Sequence, residues 1–338
     1  MTNSQHEYCF LIDRVNEKFP GFSKILNIII RNFGEVKVIN SLDDIEIDHN
    51  IIPLGIVASS EFVDKFSKGN IAFIIDATTL GFESVLRFYI KKKKYFNPEL
   101  LGALLRYIKY YFLEKKVIGN FKKVIVVSEH DANYLRRKFK CSNISVVSNG
   151  VDLPDYSNSV IKSFSYTLGI LAYWGTGSVM DVKWFINDYL PRLRRIYPEI
   201  QLVTAGYGAD EETLNFLHRN GIKHLNGIDN LWDFFNRIDI FITTVRKECG
   251  ILNKVLDAMA HRKIVVGLEH NMYAFKNLEN GFFTYRNLDE LVCVIDIIKN
   301  DPQLTSIKIN NAYRYILENH NWDRNYGFLK TLIDKSLR

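Results

Sequence analysis

Cysteine is scarce and unpatterned: Cys9, Cys141, Cys249 and Cys293 are the four in 338 residues, with no CxxC pair and no metal-ligand spacing. That argues against a disulfide framework or a zinc site, and a reducing compartment is the simplest home. Long apolar runs are also missing, since none approaches the roughly 20 residues of a membrane span. Residues 1–7 are polar and lead straight into the strand-like YCFLI, so no secretory signal is expected. No nucleic-acid-binding motif accompanies the net charge of +6, and nucleic acid is not an expected partner. What is present, 47% hydrophobic and 24% charged residues, is the balance of a soluble globular protein. The length suits two domains of ordinary size.

The positive charge is unevenly spread. Lys91–Lys94 form a KKKK run, and LLRYIKYYFLEKKVIGNFKK then interleaves Leu, Ile, Tyr and Phe with Arg106, Lys109, Lys115, Lys116, Lys122 and Lys123. Two readings stand for this helical stretch: a helix packed on its own sheet with a solvated Lys face, or a basic surface resting on an anionic leaflet.

Strand and helix alternate along the chain. YCFLID, VKVIN, IIPLGIV, IAFIID, KVIVVS and ISVVSNGVD read as strands of a first half, with PGFSKILNIIIRNFG and EHDANYLRRKFK among its helices. PDYSNSVIKS, residues 154–163, is polar and turn-rich and is the best linker. Beyond it, SYTLGILAYWG, QLVTAGYG, IKHLNGI, IDIFITT, RKIVVGLE and GFFTY supply further strands, and VMDVKWFINDYLPRLRR reads as one long amphipathic helix. Repeated strand–loop–helix units indicate parallel sheets with right-handed crossovers.

The most informative stretch is RKECGILNKVLDAMA, residues 246–260, which follows the apolar strand IDIFITT. Gly250 sits in the turn, and Val255, Leu256, Met259 and Ala260 recur at helical spacing. Strand-to-helix loops of a doubly wound sheet open where ligands bind, and a helix N-terminus there favours phosphate. Arg246 and Lys254 add two cations, and Asp257 can accept hydrogen bonds from hydroxyls. The pattern reads as a solvent-accessible pocket for a phosphorylated sugar or nucleotide. Taken singly, Lys254 reads equally well as a solvated residue of the helix face, and Asp257 reads more readily as a surface carboxylate than as a ligand.

GILNKVLDAMA also resembles the GI-x-NK-x-LEAMA signature of a branch of family 4 glycosyltransferases, bacterial sugar transferases of exopolysaccharide assembly. VVSEHDANYL and VVSNGVD are similar to the blocks that close the N-terminal domain in that family, with Ser148 in place of the usual Pro. The likeness covers nearly all of Lys123–Arg338 and is weak before Lys123. It implies an α/β GT-B fold of two facing Rossmann-like domains with parallel sheets. Residues 1–155 would form the acceptor side and 156–338 the nucleotide-sugar side, with the last helix crossing back to the N-terminal domain. It further implies retaining transfer from a nucleotide-diphosphate sugar, with no metal or other cofactor, to a lipid-linked or polymeric glycan in surface polysaccharide synthesis. The setting would be cytoplasmic, with peripheral attachment to the inner face of the plasma membrane as the option that the basic helix raises.

In that family the acidic residue before A-M-A contacts the donor ribose, which places Asp257 there, one methylene shorter than the family's Glu. Many relatives carry a second Glu eight residues earlier; Cys249 stands at that position, with Glu248 adjacent. Cations aimed at a leaving diphosphate lower the barrier to transfer, so Arg246 and Lys254 are the expected catalytic groups. Asp76, at the end of IAFIID, resembles the D-x-x-x-S position and is a third, facing the interdomain cleft; its alternative is a helix cap. Donor contacts are expected from Asp257, Asn253, Gly250, Glu248, Lys183, Gly175 and Gly206, with Gly177 beside Gly175. Tyr207, Ile228 and Trp232 are candidate walls for the base. His130 lies on a helix in a polar context and His6 precedes the first strand, so neither is favoured as a base. Departures from the family pattern keep two rivals open: a non-catalytic GT-B subunit supporting a partner transferase, and a nucleotide-sugar epimerase.

Overall fold

The structure, a computed structural model, describes strands at residues 8–12, 36–39 and 51–54, and then residues 71–91, 98–154, 165–175, 178–228, 230–275, 278 and 280–337. The chain forms two compact units. Unit 1 comprises residues 1–150, 247–251 and 320–338; unit 2 comprises 151–246 and 252–319. The linker expected at 154–163 and the helix expected at PGFSKILNIIIRNFG lie, apart from Pro154, outside the described residues.

Unit 1 is built on six strands: β1 (Tyr8–Ile12), β2 (Val36–Ile39), β3 (Ile51–Leu54), β4 (Ile71–Ile75), β5 (Lys123–Val126) and β6 (Ile144–Val146). They pair in parallel in the order β2-β1-β3-β4-β5-β6. Its helices include α1 (Thr78–Lys91), α2 (Pro98–Asn120) and α3 (Glu129–Phe139). Ala72, Ile74, Val124 and Val126 from the strands pack with Leu113 and Val117 of α2 and Leu135 of α3. Each of these Ile, Val and Leu side chains, fully buried, contributes about 1.5–3 kcal/mol. Ser128 begins α3 by accepting a hydrogen bond from the Asp131 backbone N–H, and Lys140, in the left-handed region at φ 51, ends it.

Unit 2 repeats the plan. After β7 (Thr167–Leu171) come α4 (Ser178–Asp188), α5 (Leu190–Ile196), β8 (Gln201–Gly206), α6 (Glu211–Arg219), β9 (Lys223–Asn226), α7 (Leu231–Phe235) and β10 (Ile240–Thr243). Then follow α8 (Asn253–Ala260), β11 (Ile264–Leu268), α9 (Glu269–Met272), β12 (Phe283–Tyr285), α10 (Leu288–Asn300) and α11 (Pro302–Asn319). The parallel order β12-β11-β10-β7-β8-β9 starts in the middle of the sheet at β7 and reverses direction between β7 and β10. That is the switch point where doubly wound sheets hold ligands. Strands β10 and β11 are buried at every residue, as expected of parallel strands covered on both faces.

One element differs from the sequence expectation. VMDVKWFINDYLPRLRR is two helices, α4 and α5, broken at Tyr189. Pro191 has no N–H to donate to the carbonyl four residues back, and its ring clashes there, so the periodic apolar pattern continues across a backbone break.

The chain ends in α12 (Trp322–Leu337), which belongs to unit 1. The NGVD block meets it: a Cβ on Gly150 would lie 2.5 Å from the Trp322 ring. The Asn325 amide donates to the Ser148 carbonyl at 3.1 Å, and His320 Nδ1 donates to the Asn149 carbonyl at 2.7 Å. No helix among the described residues is long and apolar enough to cross a membrane.

Candidate functional site

Two cations of unit 2, Lys254 and Arg246, lie by the switch point. Lys254 lies in the first turn of α8, after β10, and its Nζ donates to the Leu171 carbonyl at the end of β7 at 3.1 Å. One side chain thus spans the two strands between which the order reverses. Burial lowers its pKa to about 8, with Asp181 pulling the other way. Arg246 directs Nε onto Asp181 Oδ1 at 2.5 Å and its backbone N–H onto Oδ2 at 3.3 Å. The two side chains are only 12% and 13% exposed, so Arg246 is enclosed rather than set on the open wall expected of it. Asp181 sits in the first turn of α4, where the helix dipole favours an anion. The loop is fixed further by the Asn271 amide on the Val245 carbonyl and the Tyr285 hydroxyl on the Thr243 carbonyl at 3.3 Å.

The remaining candidates of unit 2 fall around this centre or away from it. Asn253 opens α8, whose cap residue Leu252 supplies no side-chain hydrogen bond, and Asp257 lies one turn on, half-buried. Gly206 has φ 129, and a Cβ there would lie 1.8 Å from the Ala172 carbonyl oxygen. Its glycine is accounted for by the close pass of the β7 and β8 exits, which the Trp174 N–H bonds to the Tyr207 carbonyl at 2.8 Å. Gly175 is exposed in that same loop, while Gly177 lies outside the described residues. Lys183 pairs with Glu212 at 3.3 Å and stands 5.5 Å over the Phe216 ring, so its charge is engaged with α6. Of the candidate base walls, the Tyr207 hydroxyl donates to the Ile228 carbonyl at 3.1 Å, which brings those two together, and Trp232 lies 6.1 Å from the His261 ring.

Unit 1 gathers carboxyls instead. Asp76 follows β4 and Asp131 stands in the first turn of α3, after the neighbouring β5. Asp131 Oδ2 accepts the backbone N–H of Gly250 at 2.8 Å and of Ala77 at 3.3 Å. Glu114 Oε1 accepts the Thr79 N–H at 3.1 Å. Burial pushes all three carboxyls up: Glu114 to about 7 despite its Thr79 bonds, Asp131 further raised by Asp76, and Asp76 itself with Lys247 opposing. Gly250, at φ 68, leaves no room for a side chain, since a Cβ would lie 2.2 Å from Asp76 Oδ1. Asp76 therefore packs against the 247–251 segment, and the α1 N-terminus takes the Asp76 carbonyl through the Thr78 N–H at 3.0 Å.

Glu248 is held from two sides: His130 Nε2 donates to its Oε1 at 2.9 Å and Arg87 to its Oε2 at 3.2 Å. Its backbone N–H reaches Ser84 Oγ at 2.9 Å. Cys249 points elsewhere, with Sγ packed 2.8 Å from where a Gly81 side chain would begin. Burial raises its thiol pKa well above the usual value, and Asp76 and Asp131 raise it further.

The sequence candidates thus separate by unit: Arg246, Lys254, Asp257, Asn253, Lys183, Gly175 and Gly206 belong to unit 2, and Asp76, Glu248 and Gly250 to unit 1. Sequence reasoning passed over Asp181, Asp131 and Glu114, and set His130 aside. Ser128 and Asp131 have the spacing of a capping box, a signal that points to helix initiation and conceals the second use of the carboxylate. Among the described residues no group of three or more His, Cys, Asp or Glu side chains is arranged to hold a metal ion.

Comparison with known proteins bears on this arrangement. Residues 168–298, most of unit 2, match the family described as glycosyl transferases group 1. No curated protein matches by sequence. Among solved structures, a sucrose-phosphate synthase from Thermosynechococcus elongatus superposes with a TM-score of 0.67 at 13% identity, over 97% of this chain and 98% of that one. Anabaena Alr3699/HepE, solved with UDP and glucose, gives 0.59 at 12% identity, over 97% and 99%. TarM gives 0.61 at 12% identity over 86% of this chain, which spans only 56% of TarM. The fold is that of GT-B glycosyltransferases, an α/β protein with two parallel sheets. The group 1 match and the fold together support a transferase of that class.

Proposed function

We propose that the protein transfers a sugar, with retention of anomeric configuration, from a nucleotide-diphosphate sugar to a lipid-linked or polymeric glycan. The pathway would be bacterial surface polysaccharide synthesis at the cytoplasmic membrane face. The observation that carries this is the pair of cations at the switch point of unit 2, Lys254 fastened to the β7 exit and Arg246 clamped by Asp181. A diphosphate leaving group gains negative charge in the transition state, and cations already desolvated and held in place stabilise that charge without reorganising. Arg suits bidentate contact and Lys acts as a point charge. Asp257, on the same helix, would take the ribose hydroxyls. The complex of the Anabaena protein with UDP and glucose supports a nucleotide-sugar donor. No metal is invoked; the two side chains would supply the charge.

Incubation with UDP-, GDP- and ADP-sugars, followed by donor hydrolysis and thermal shift, tests the reading. At least one donor should raise the melting temperature and be slowly hydrolysed. Absence of binding by every donor would sink it. The second reading, a non-catalytic GT-B subunit, draws on Lys183 being engaged with Glu212 and Cys249 being packed against Gly81. Copurification of a second transferase whose turnover survives Lys254→Ala in this chain would favour that reading.

A further inference from the structure

We propose that the outward face of α2 is a docking surface for an anionic phospholipid bilayer. The inference rests on the lipid-linked acceptor reading for its purpose, although its test requires no donor. Helix α2 buries Ala103, Leu113, Glu114, Val117 and Ile118 in unit 1. On its other side it leaves large apolar side chains in water: Leu101 is 61% exposed, Leu104 42%, Leu105 60%, Ile108 43% and Phe112 64%. Counted from Leu101 these fall three, four, seven and eleven residues on, and at ~100° per residue all stay within about 60° of one line along the helix. The solvent side of a helix in a water-soluble protein ordinarily carries charge there.

Cations flank one edge of the stripe and its C-terminal end. By the same count Lys115 lies about 40° to one side, with Lys116 and Lys109 about 60° and 80° to the other. Lys109 and Lys115 are exposed and Lys116 is half-buried. Neither acid of the helix shares the face: Glu114 is buried on the opposite side and Glu99 lies about 160° away. At the end of α1, separated from α2 by six residues, Ile90 is 53% exposed and Lys91 is exposed.

An apolar stripe edged by lysines, with no acid on the face, is the pattern of a helix lying in the plane of a bilayer interface. Its apolar side chains enter the acyl boundary and the lysines meet lipid phosphate. A second copy of the same face would bring these lysines together, which disfavours self-association.

The test is co-sedimentation of the full chain with vesicles of phosphatidylcholine alone and of phosphatidylcholine mixed with phosphatidylglycerol. Binding to the anionic vesicles is expected to be at least about tenfold tighter and to weaken as salt rises. Leu105→Ser with Phe112→Ser should reduce binding at every salt concentration. Lys109→Glu with Lys115→Glu should remove the preference for anionic lipid. Because these side chains are exposed, the melting temperatures of both double variants should match the parent, and Lys254→Ala should sediment as the parent does. Equal binding to both vesicle types, absence of binding, or variants that bind like the parent would overturn the proposal. So would a dimer, formed without lipid, that Leu105→Ser with Phe112→Ser dissolves. A protein that binds vesicles but no nucleotide sugar would keep this inference and lose the proposed function.

Discussion

Units 1 and 2 use the same architecture, six parallel strands, yet place opposite charge near the carboxyl ends of those strands. Unit 1 puts Asp76 and Asp131 after β4 and β5, with Glu114 brought in by α2. Unit 2 puts Arg246 after β10 and ties Lys254 to the end of β7. In both units desolvation acts on the buried groups, but with opposite chemical results. It drives the carboxyls of unit 1 toward their neutral form and lowers Lys254 toward loss of its charge. In unit 2 the field of Asp181 at Lys254 opposes that loss. The fold supplies the position, and the residues set there decide the chemistry.

The largest expected effect lies on the cationic side. Lys254→Ala and Arg246→Ala should each lower turnover by about 10²–10³, the loss of roughly 3–4 kcal/mol of transition-state stabilisation, with a smaller change in donor affinity. If steady-state kinetics show turnover within threefold of the parent, the contrast has no catalytic meaning.

Next comes Gly250. Gly250→Ala adds a methyl against Asp76 at a positive φ and disturbs the amide that Asp131 accepts. Urea unfolding should show a loss of about 2–4 kcal/mol. An unchanged midpoint would mean that the 247–251 segment is not held by the carboxyls.

The third measurement separates the units by pH. The Glu114 pKa rises from 4.5 to about 7 on folding. The native state therefore binds more protons across that window, and stability falls as pH rises through it. Asp76 and Asp131 act in the same direction. For Lys254 the native pKa lies near 8 against 10.5, so the unfolded state binds more protons between these values and stability recovers as pH rises through them. Glu114→Gln keeps the acceptor for the Thr79 N–H while removing the ionisation. It should stabilise by about 1–3 kcal/mol at pH 8 and by nothing measurable at pH 4. Equal effects at both pH values would contradict a buried, ionising carboxyl.

The smallest effect sharpens the comparison inside unit 2. If Lys254 must be charged to bind the donor, kcat/KM should fall above about pH 8. Asp181→Asn removes the charge that supports it, so this limb should move down by about half a pH unit to one unit. The variant should also be non-additive with Arg246→Ala, because the two residues are in contact. An unmoved limb would assign it to another group.

Much of the architecture was legible because the strands are short apolar runs bounded by turn residues. IDIFITT and KVIVVS read as buried strands and became β10 and β5, whose buried runs leave little room for another assignment. The break at Tyr189 was not legible, since the apolar period runs through Pro191 while the backbone cannot follow it. For the candidate site, the sequence indicated which residue types were present, but not their partners. Arg246 and Asp181 are 65 residues apart, and nothing local to either announces the other. Asp131 carried a helix-start signature that accounted for its presence too easily. The LLRYIKYYF stretch offered a solvated lysine face or a membrane surface, and only the burial of Leu113 and Val117 against the exposure of Leu105 and Phe112 shows which apolar residues the core takes.

The carboxyl cluster of unit 1 also leaves a thermal signature. Near pH 6, Glu114 is more protonated in the folded chain than once unfolded, so unfolding releases protons from this residue. Asp76 and Asp131 release in the same sense. The buffer takes up those protons with its own heat. In a calorimeter the apparent unfolding enthalpy at this pH should therefore vary linearly with the ionisation enthalpy of the buffer, and the slope counts the protons that burial had retained.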